Sequence, residues 1–155
     1  MRRATESDVG RALELYRELE DHQGAWRVFA PREGSERETE ARYRRALEDP
    51  DLALVVCEKD GAVAAIGYGE IGPGSSMSDE LSLSISNVVV ARDRRGRGLG
   101  RAVVMALVAW GRSRGVERAH VRVFAENAEA IRFWERLGMR PRLVQLTGRL
   151  ADLGG

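Results

Sequence analysis

Residues 88–101 read Val-Val-Val-Ala-Arg-Asp-Arg-Arg-Gly-Arg-Gly-Leu-Gly-Arg. The three valines are apolar on both faces and predict the end of a buried strand. Ala102–Arg114 follows with apolar residues on most sides, which predicts a buried helix. Between strand and helix the chain turns through a loop rich in arginine and glycine, Arg92–Arg101. This strand–loop–helix unit indicates an α/β protein.

The loop has the composition of an anion-binding turn. The first N–H groups of a helix have no partner within the helix and carry a partial positive charge, so they attract an anion such as pyrophosphate. Glycines remove Cβ atoms and let the backbone approach phosphate oxygens, and arginines add charge-assisted hydrogen bonds. A solvated arginine turn at a helix entry has the same composition and stays an alternative. The residues concerned are Arg95, Gly96, Arg97, Gly98, Leu99, Gly100 and Arg101.

Other glycine-rich loops fit the segment less well. No Gly-Lys-Ser or Gly-Lys-Thr follows, which excludes a Walker loop. In a dinucleotide fingerprint the third glycine would fall at Arg101, and the acidic partner, Glu117, would precede its strand instead of ending it. The loop lacks the interleaved aromatic residues of a nucleic-acid arm, and the net charge of +1 indicates no global attraction to nucleic acid or membrane. Neither is therefore expected as a partner.

The rest of the chain predicts a single mixed β-sheet flanked by helices, in the order β-α-α-β-β-β-α-β-α-β. Capping-box spacing at Thr5 with Asp8, and again at Ser35 with Glu38, marks two helix starts. Lys59-Asp60-Gly61 joins two apolar runs as a hairpin turn. The predicted elements are strands 2–4, 52–57, 62–71, 81–90, 119–124 and 143–150, helices 9–19, 35–48, 102–114 and 127–137, a flexible connector 72–79 and a frayed end Gly154–Gly155.

Length and composition predict one cytoplasmic domain, residues 1–155. Apolar residues make up 43% of the 155, which is enough for one sizeable core. Cys57 is the single cysteine and lies in an apolar run, so we expect a core thiol in a reducing compartment. His22 and His120 lie far apart, so there is no metal-ligand spacing and no metal is expected. The N-terminus has no apolar signal region, and no stretch reaches membrane-spanning length.

A second motif follows a strand about thirty residues after the glycines. It reads Asn127-Ala-Glu-Ala130-Ile-Arg-Phe133-Trp134-Glu-Arg-Leu137-Gly138-Met139. Together with Arg95-x-x-Gly98-x-Gly100, it resembles the GNAT superfamily of acyl-CoA-dependent N-acyltransferases. The opening Arg2-Arg3-Ala4-Thr5, followed by a helix, resembles the family's first strand and helix. The resemblance covers nearly the whole chain and implies the GNAT-like N-acyltransferase fold.

The resemblance implies that the chain uses acetyl-CoA as its acyl donor. The loop Arg95–Arg101 matches the family's pyrophosphate loop. Asn127 stands at the position of a pantetheine contact, and Asn also suits the N-cap of the last helix. Trp134 stands where the family often has Tyr, which removes an ionisable general acid. The family's backbone that pairs with the pantetheine arm corresponds here to Val88, Val89 and Val90.

The reaction implied is transfer of an acetyl group to a primary amine by direct attack in a ternary complex. A lysine-like ammonium has a pKa of about 10.4, so a base has to accept a proton near neutral pH. Glu70 and Glu80, near the ends of two strands, are the candidate bases. His120 is expected to be a satisfied histidine of the core. The serines expected to line the acceptor cleft are Ser82, Ser84 and Ser86.

A non-catalytic acyl-CoA-binding or sensor module is the alternative function. Trp134 and the absence of an acid on the serine-rich part of the strand favour that alternative. The acceptor is expected to be a small-molecule or peptide amine, and the sequence does not choose between them. Trp26 and Phe29 form walls of the acceptor pocket or only anchor their loop. A homodimer stays open.

Overall fold

The structure is a computed structural model that describes residues 1–76 and 78–154. Met77, in the predicted connector, and Gly155, in the predicted frayed end, lie outside the described residues. The strands and α-helices in the described part of the chain are β1 (Arg2–Arg3), α1 (Val9–Gln23), α2 (Ser35–Glu48), β2 (Leu52–Lys59), β3 (Ala62–Ser75), β4 (Ser78–Val90), α3 (Leu99–Ser113), β5 (Arg118–Val121) and α4 (Ala128–Arg136).

The strands form one mixed sheet in the order β1-β2-β3-β4-β5. The pairs from β1 to β4 are antiparallel, whereas β4 and β5 are parallel and are joined through α3. The chain divides into two compact units, and the sheet belongs to the first, Met1–Ala25 with Pro31–Arg122. The second unit contains Trp26–Ala30 and the chain from Val123 onward, including α4. The predicted fold class, a mixed sheet flanked by helices, is confirmed.

The sheet contains two hairpins, one predicted correctly and one missed. Asp60 (φ 53°) and Gly61 (φ 76°) form a two-residue turn with left-handed backbone, which suits the twist of β2 and β3. The predicted flexible connector over 72–79 is wrong, because β3 and β4 stay paired almost to its middle, with Ser75 opposite Ser78. The residues of this segment are mostly serine and glycine, so a search for alternating apolar residues does not detect the pairing. Backbone hydrogen bonds sustain it.

Helix α3 packs very close to one face of the sheet. Gly67 and Gly69 lie beneath it on β3, and a Cβ built on Gly67 would overlap Val103. A Cβ on Gly69 would lie 3.0 Å from Leu107, so only glycine permits this approach at both positions. Cys57 is buried on the same side with Val103, which agrees with the predicted core thiol.

The other face of the sheet is covered by α1 and α2, whose approach is fixed by Asp8. Its carboxylate accepts hydrogen bonds from the Thr5 backbone N–H (2.7 Å) and hydroxyl (2.9 Å), which confirms the first capping box. It also pairs with Arg2 at 2.6 Å. The Arg2 guanidinium holds the pKa of the Asp8 carboxyl well below its usual range.

The second predicted capping box, at Ser35, is wrong. Gly34 is the N-cap of α2 and has left-handed backbone (φ 81°), so Ser35 is already the first helical residue. The Glu38 carboxylate pairs with Arg32 instead of with the start of the helix. The N-cap position is therefore taken by the glycine that precedes Ser35, and residue spacing alone does not predict this.

The second unit contains α4 but lacks the predicted last strand. Residues 140–149 have no regular structure and pair with no strand among the described residues. Leu143 is 90% exposed and Leu146 is 89% exposed, so the apolar residues of this segment bury against nothing that the structure describes. A strand needs a neighbour for its backbone as well as a suitable pattern, and here the pattern alone was misleading.

Candidate functional site

The site begins where β4 and β5 part. The two strands pair from Ser82 opposite Arg118 to Ile85 opposite Val121. Beyond Ile85, β4 continues to Val90 without a β5 partner in the described chain. One backbone edge of this final part of β4 is therefore left outside the sheet pairing and is able to bind an extended ligand.

A β-bulge lies at this fork. Ile66 pairs with Val89 and Tyr68 with Ser86, so the single residue Gly67 faces both Asn87 and Val88. Asn87 takes left-handed backbone (φ 49°), which Asn tolerates better than most residues with a Cβ. The bulge re-aims the β4 backbone just where β5 leaves it.

A buried hydrogen bond fixes the bulge. The Asn87 side-chain amide donates to the Tyr43 hydroxyl at 3.0 Å, and Tyr43, on α2, is fully buried. Burial raises the pKa of Tyr43, so its phenol stays neutral. Sequence reasoning missed both residues, although an Asn between the serine alternation and the three valines marks the break in the strand pattern.

After β4 the chain is folded back onto the sheet before it reaches α3. The Ala91 backbone N–H donates to the Ala64 carbonyl at 2.9 Å. Arg94 pairs with Asp60 in the β2–β3 turn, and this hydrogen-bonded pair lowers the pKa of Asp60. The Arg95 Nε–H donates to the Val90 carbonyl at 3.2 Å. Arg94 therefore ties the loop to the β2–β3 turn, and Arg95 ties it to the end of β4. The count of charges did not predict these structural roles.

The turn into α3 leaves a run of free backbone amides. Gly96 (φ 73°) and Gly98 (φ 76°) both take left-handed backbone, a conformation that glycine adopts without strain. The first helical bond runs from Ala102 N to the Gly98 carbonyl at 3.0 Å. None of the amides from Gly96 to Arg101 donates a backbone hydrogen bond to residues 1–76 or 78–154. This arrangement offers several donors to one anion at a helix start.

The face of the sheet opposite α3 carries a transverse row of polar residues at the fork. Glu70 on β3 pairs with Ser84 on β4, and Ser84 pairs with His120 on β5. His120 is exposed, so its prediction as a core residue is wrong. The Glu80 carboxylate lies nearer the start of β4 and binds the Arg118 Nε at 2.6 Å.

Comparison with known proteins identifies the family. The model of the acetyltransferase (GNAT) family matches residues 10–139. The chain belongs to this family. It is 30% identical over 138 residues to a mycothiol acetyltransferase of Rhodococcus opacus, covering 83% of this chain and 45% of that protein. The chain spans less than half the length of the curated relatives that it matches.

Solved structures share the GNAT architecture across nearly the whole chain. The BH1408 protein of Bacillus halodurans, as its tetramutant, superposes with a TM-score of 0.80 at 22% identity, covering 96% of this chain and 98% of that one. A predicted acetyltransferase of Clostridium acetobutylicum, solved with acetyl-CoA, has a TM-score of 0.74 at 14% identity, covering 99% and 97%. At these identities the likeness shows the fold alone, and it agrees with the family resemblance read from the sequence.

The second GNAT motif lies in the second unit, where its residues have structural roles. The Asn127 carboxamide oxygen accepts from the Ala130 backbone N–H at 3.0 Å, so Asn127 is the predicted N-cap of α4. Trp134 is buried, with Phe133 edge-on at a ring-centroid distance of 5.1 Å. Trp26 packs against Phe124 at 6.3 Å, which supports the anchoring role predicted as one of its two alternatives.

Two further properties of the GNAT chain concern its surroundings and its core. None of its described helices combines the length and the apolar character that crossing a membrane requires. The Tyr68 hydroxyl is buried without a hydrogen-bond partner among the described residues, and burial raises the pKa of Tyr68 to about 12. The Tyr43 ring lies 6.0 Å away and is tilted by 35°, and both rings belong to the core beneath α2.

Proposed function

We propose that this GNAT chain transfers an acetyl group from acetyl-CoA to a primary amine by direct attack in a ternary complex. The observation that carries the proposal is the run of free amides from Gly96 to Arg101, at a helix start that already has the geometry of a diphosphate cradle. Family membership over residues 10–139 supports acetyl transfer to an amine. The acetyl-CoA in the Clostridium acetobutylicum relative supports the choice of donor.

The donor would be held by main-chain groups along the fork and by the loop. The unpaired edge of β4 suits an extended pantetheine arm, because an added strand is held by backbone hydrogen bonds. The exposed side chains of Arg97 and Arg101 would add charge to the phosphates. Asn127 keeps the role predicted from the family, a pantetheine contact, in addition to capping α4. The backbone assigned to the pantetheine arm is that of Val88, Val89 and Val90.

The chemistry requires that two protons leave the amine. Glu70 and Glu80 remain the bases proposed from the sequence. Glu70 is exposed in the polar row at the fork, which favours it over Glu80 with its Arg118 partner. The thiol that leaves has an ordinary pKa of about 8.5 and departs as thiolate without a strong acid, so Trp134 does not prevent turnover. Direct attack in a ternary complex needs no acyl-enzyme intermediate, so it is the simpler path.

We propose that residues 1–155 act as one N-acetyltransferase domain. The family match runs without interruption from residue 10 to residue 139, and so includes both compact units. Loop residues of the first unit and Asn127 of the second belong to the two halves of one family motif set.

Release of free thiol from acetyl-CoA in the presence of a panel of small-molecule and peptide amines tests the activity. Gly98→Asp should abolish CoA binding in calorimetry, because a carboxylate would meet the diphosphate. Gly115→Asp is the matched control: Gly115 also has left-handed backbone (φ 76°) and open space around its Cβ, but it follows the far end of α3. Equal CoA affinity in the Gly98→Asp variant and the native protein would remove the basis of the proposal.

An acyl-CoA sensor without catalysis is the second candidate, favoured by Trp134 at the position of the family's tyrosine. The same assay separates the two functions. Tight CoA binding that depends on Gly98, with no thiol released across the amine panel, would favour the sensor. Thiol release that scales with amine concentration would favour the enzyme.

A further inference from the structure

The proposed donor site occupies one face of the sheet, so the acceptor amine has to reach the fork from the other face. Helix α3 lies on the face that carries Gly67 and Gly69, and Leu99 at its start packs there with Cys57 and Val103. A donor held there reaches the fork from that side. The amine must then approach from the opposite face, where Ser86 pairs with Tyr68 beneath α2. Side chains alternate along a strand, so Ser82 and Ser84 also point to this face.

His120 is an ionisable side chain on this face, next to the fork. Its partner Ser84 lies one residue before the last β4–β5 pair, Ile85 with Val121. The distance from the row to the fork is therefore about 3 Å along the strand. The Ser82 hydroxyl lies 3.1 Å from His120 Nδ1, and this contact holds the imidazole ring on the face of the sheet opposite α3.

The Ser82 contact engages Nδ1 of the ring, so Nε2 is the nitrogen left for a substrate. Ser82 is buried, with only 5% of its surface exposed. When His120 Nδ1–H donates to the Ser82 hydroxyl, Nε2 keeps the lone pair that a base needs. Because His120 itself is exposed, a substrate ammonium has access to that nitrogen.

We infer that His120 is the catalytic base of the proposed acetyl transfer, with Ser82 as its positioning residue; the inference rests on the proposed function. The ammonium of the acceptor gives one proton to His120 Nε2 and becomes a neutral amine. Its nitrogen attacks the thioester carbonyl carbon, a C–N bond forms and the C–S bond breaks. The second nitrogen proton passes to the departing thiolate, and His120 returns its proton to water.

An imidazole suits this task better than the carboxylates nearby. The proton acceptor works best when its ordinary pKa is near the working pH, and an imidazole at about 6.5 is closer to that than a carboxylate. Glu80 is engaged by Arg118, whereas Glu70 lies across Ser84 from the ring. Glu70 and His120 are thus separated by one strand in the polar row.

The charged side chains around His120 have to be known before a pH dependence of the rate is assigned to its imidazole. Arg118 on β5 and Arg122, one residue past its end, lie two positions to either side of His120, and Arg118 pairs with Glu80 on β4. Glu70 on β3 adds a negative charge in the same row. A change of rate with pH is therefore compared between the His120 and Glu70 variants, which separates the imidazole from the carboxylate in its row.

The test compares kcat/KM against pH in four proteins: the native chain and its His120→Gln, Glu70→Gln and His22→Gln variants. His22→Gln is the matched control, since His22 is the other histidine of the chain and lies at the end of α1. We expect the native chain and the control to lose activity on acidification, because a protonated imidazole has no lone pair with which to accept a proton. His120→Gln should lose about 100-fold in rate together with this acid limb, while CoA binding in calorimetry is unchanged.

Two further measurements separate a chemical role from a structural one. Added imidazole should restore turnover to His120→Ala, because a free base then occupies the vacated space. Ser82→Ala should lower kcat about fivefold with little change in KM, since one hydrogen bond that orients the ring is lost.

Three outcomes are decisive. Loss of the acid limb in His120→Gln, with imidazole rescue of His120→Ala, establishes the inference. Retention of the limb in His120→Gln and its loss in Glu70→Gln overturns the assignment to His120 but leaves the proposed function standing. A native chain that binds CoA but releases no thiol with any amine overturns the proposed function, and the assignment with it.

Discussion

The hydrogen bond between Asn87 and Tyr43 should be measurable as a coupling energy. In Tyr43→Phe the Asn87 amide loses its partner, and in Asn87→Gly the fully buried Tyr43 hydroxyl loses its own. Glycine preserves the left-handed backbone that the bulge requires, so the second change removes the contact without straining the chain.

The expected loss in free energy of unfolding depends on how deeply the polar group left unpaired is buried. Tyr43→Phe should lower the free energy of unfolding by about 1 kcal/mol, because the amide it strands is only partly buried. Asn87→Gly should cost about 2 kcal/mol, since it leaves a hydroxyl of 0% exposure unpaired. The double variant has no stranded group and should cost about 1 kcal/mol less than the sum of the single changes.

Urea unfolding followed by circular dichroism measures all four proteins of the cycle. At a slope of about 2 kcal/mol per molar urea, a loss of 1 kcal/mol lowers the midpoint by roughly 0.5 M. Tyr68→Phe is the control, because its equally buried hydroxyl has no partner in the described chain and its removal should be neutral or stabilising. Costs that simply add in the double variant would refute the coupling.

Two other changes probe stability elsewhere. Gly67→Ala should destabilise by about 2 kcal/mol in the same urea assay, because its Cβ overlaps Val103, whereas Gly10→Ala, in open space on α1, should be neutral or stabilising; equal midpoints would contradict the close packing. The pKa of Asp8 is lower in the folded chain than its ordinary value of about 3.9, so its contribution is complete above pH 5 and is lost as the pH falls through 4 and below. Asp8→Asn should therefore be less stable than the native chain at pH 7 and should lose less stability on acidification; a parallel pH profile would contradict the Arg2 pairing.

Local backbone chemistry was the most predictable part of the molecule. The turn at Asp60-Gly61 and the Asn127 cap both came from residues whose own side chains or missing Cβ atoms dictate the conformation. The glycines of the α3 entry are of the same kind, since Gly96 and Gly98 take the left-handed backbone that L-residues avoid.

What escaped prediction depends on partners that lie far away in the sequence. The segment 143–150 has a strand's pattern but finds no neighbouring strand among the described residues. His120 was expected in the core because an isolated strand does not reveal which face is covered. The bulge needed Tyr43, 44 positions before Asn87, and nothing in either local sequence announces the other.

The near contact between α3 and the sheet has a consequence for the cost of gripping a ligand. Because Gly67 and Gly69 let Val103 and Leu107 pack directly onto β3, the start of α3 is held against the buried centre of the sheet. The conformational entropy of the backbone amides from Gly96 to Arg101 is therefore lost when the chain folds, before any ligand binds. For the diphosphate site proposed above, little of that entropy would remain to be lost on binding, so the absence of a Cβ at Gly67 and Gly69 would favour affinity.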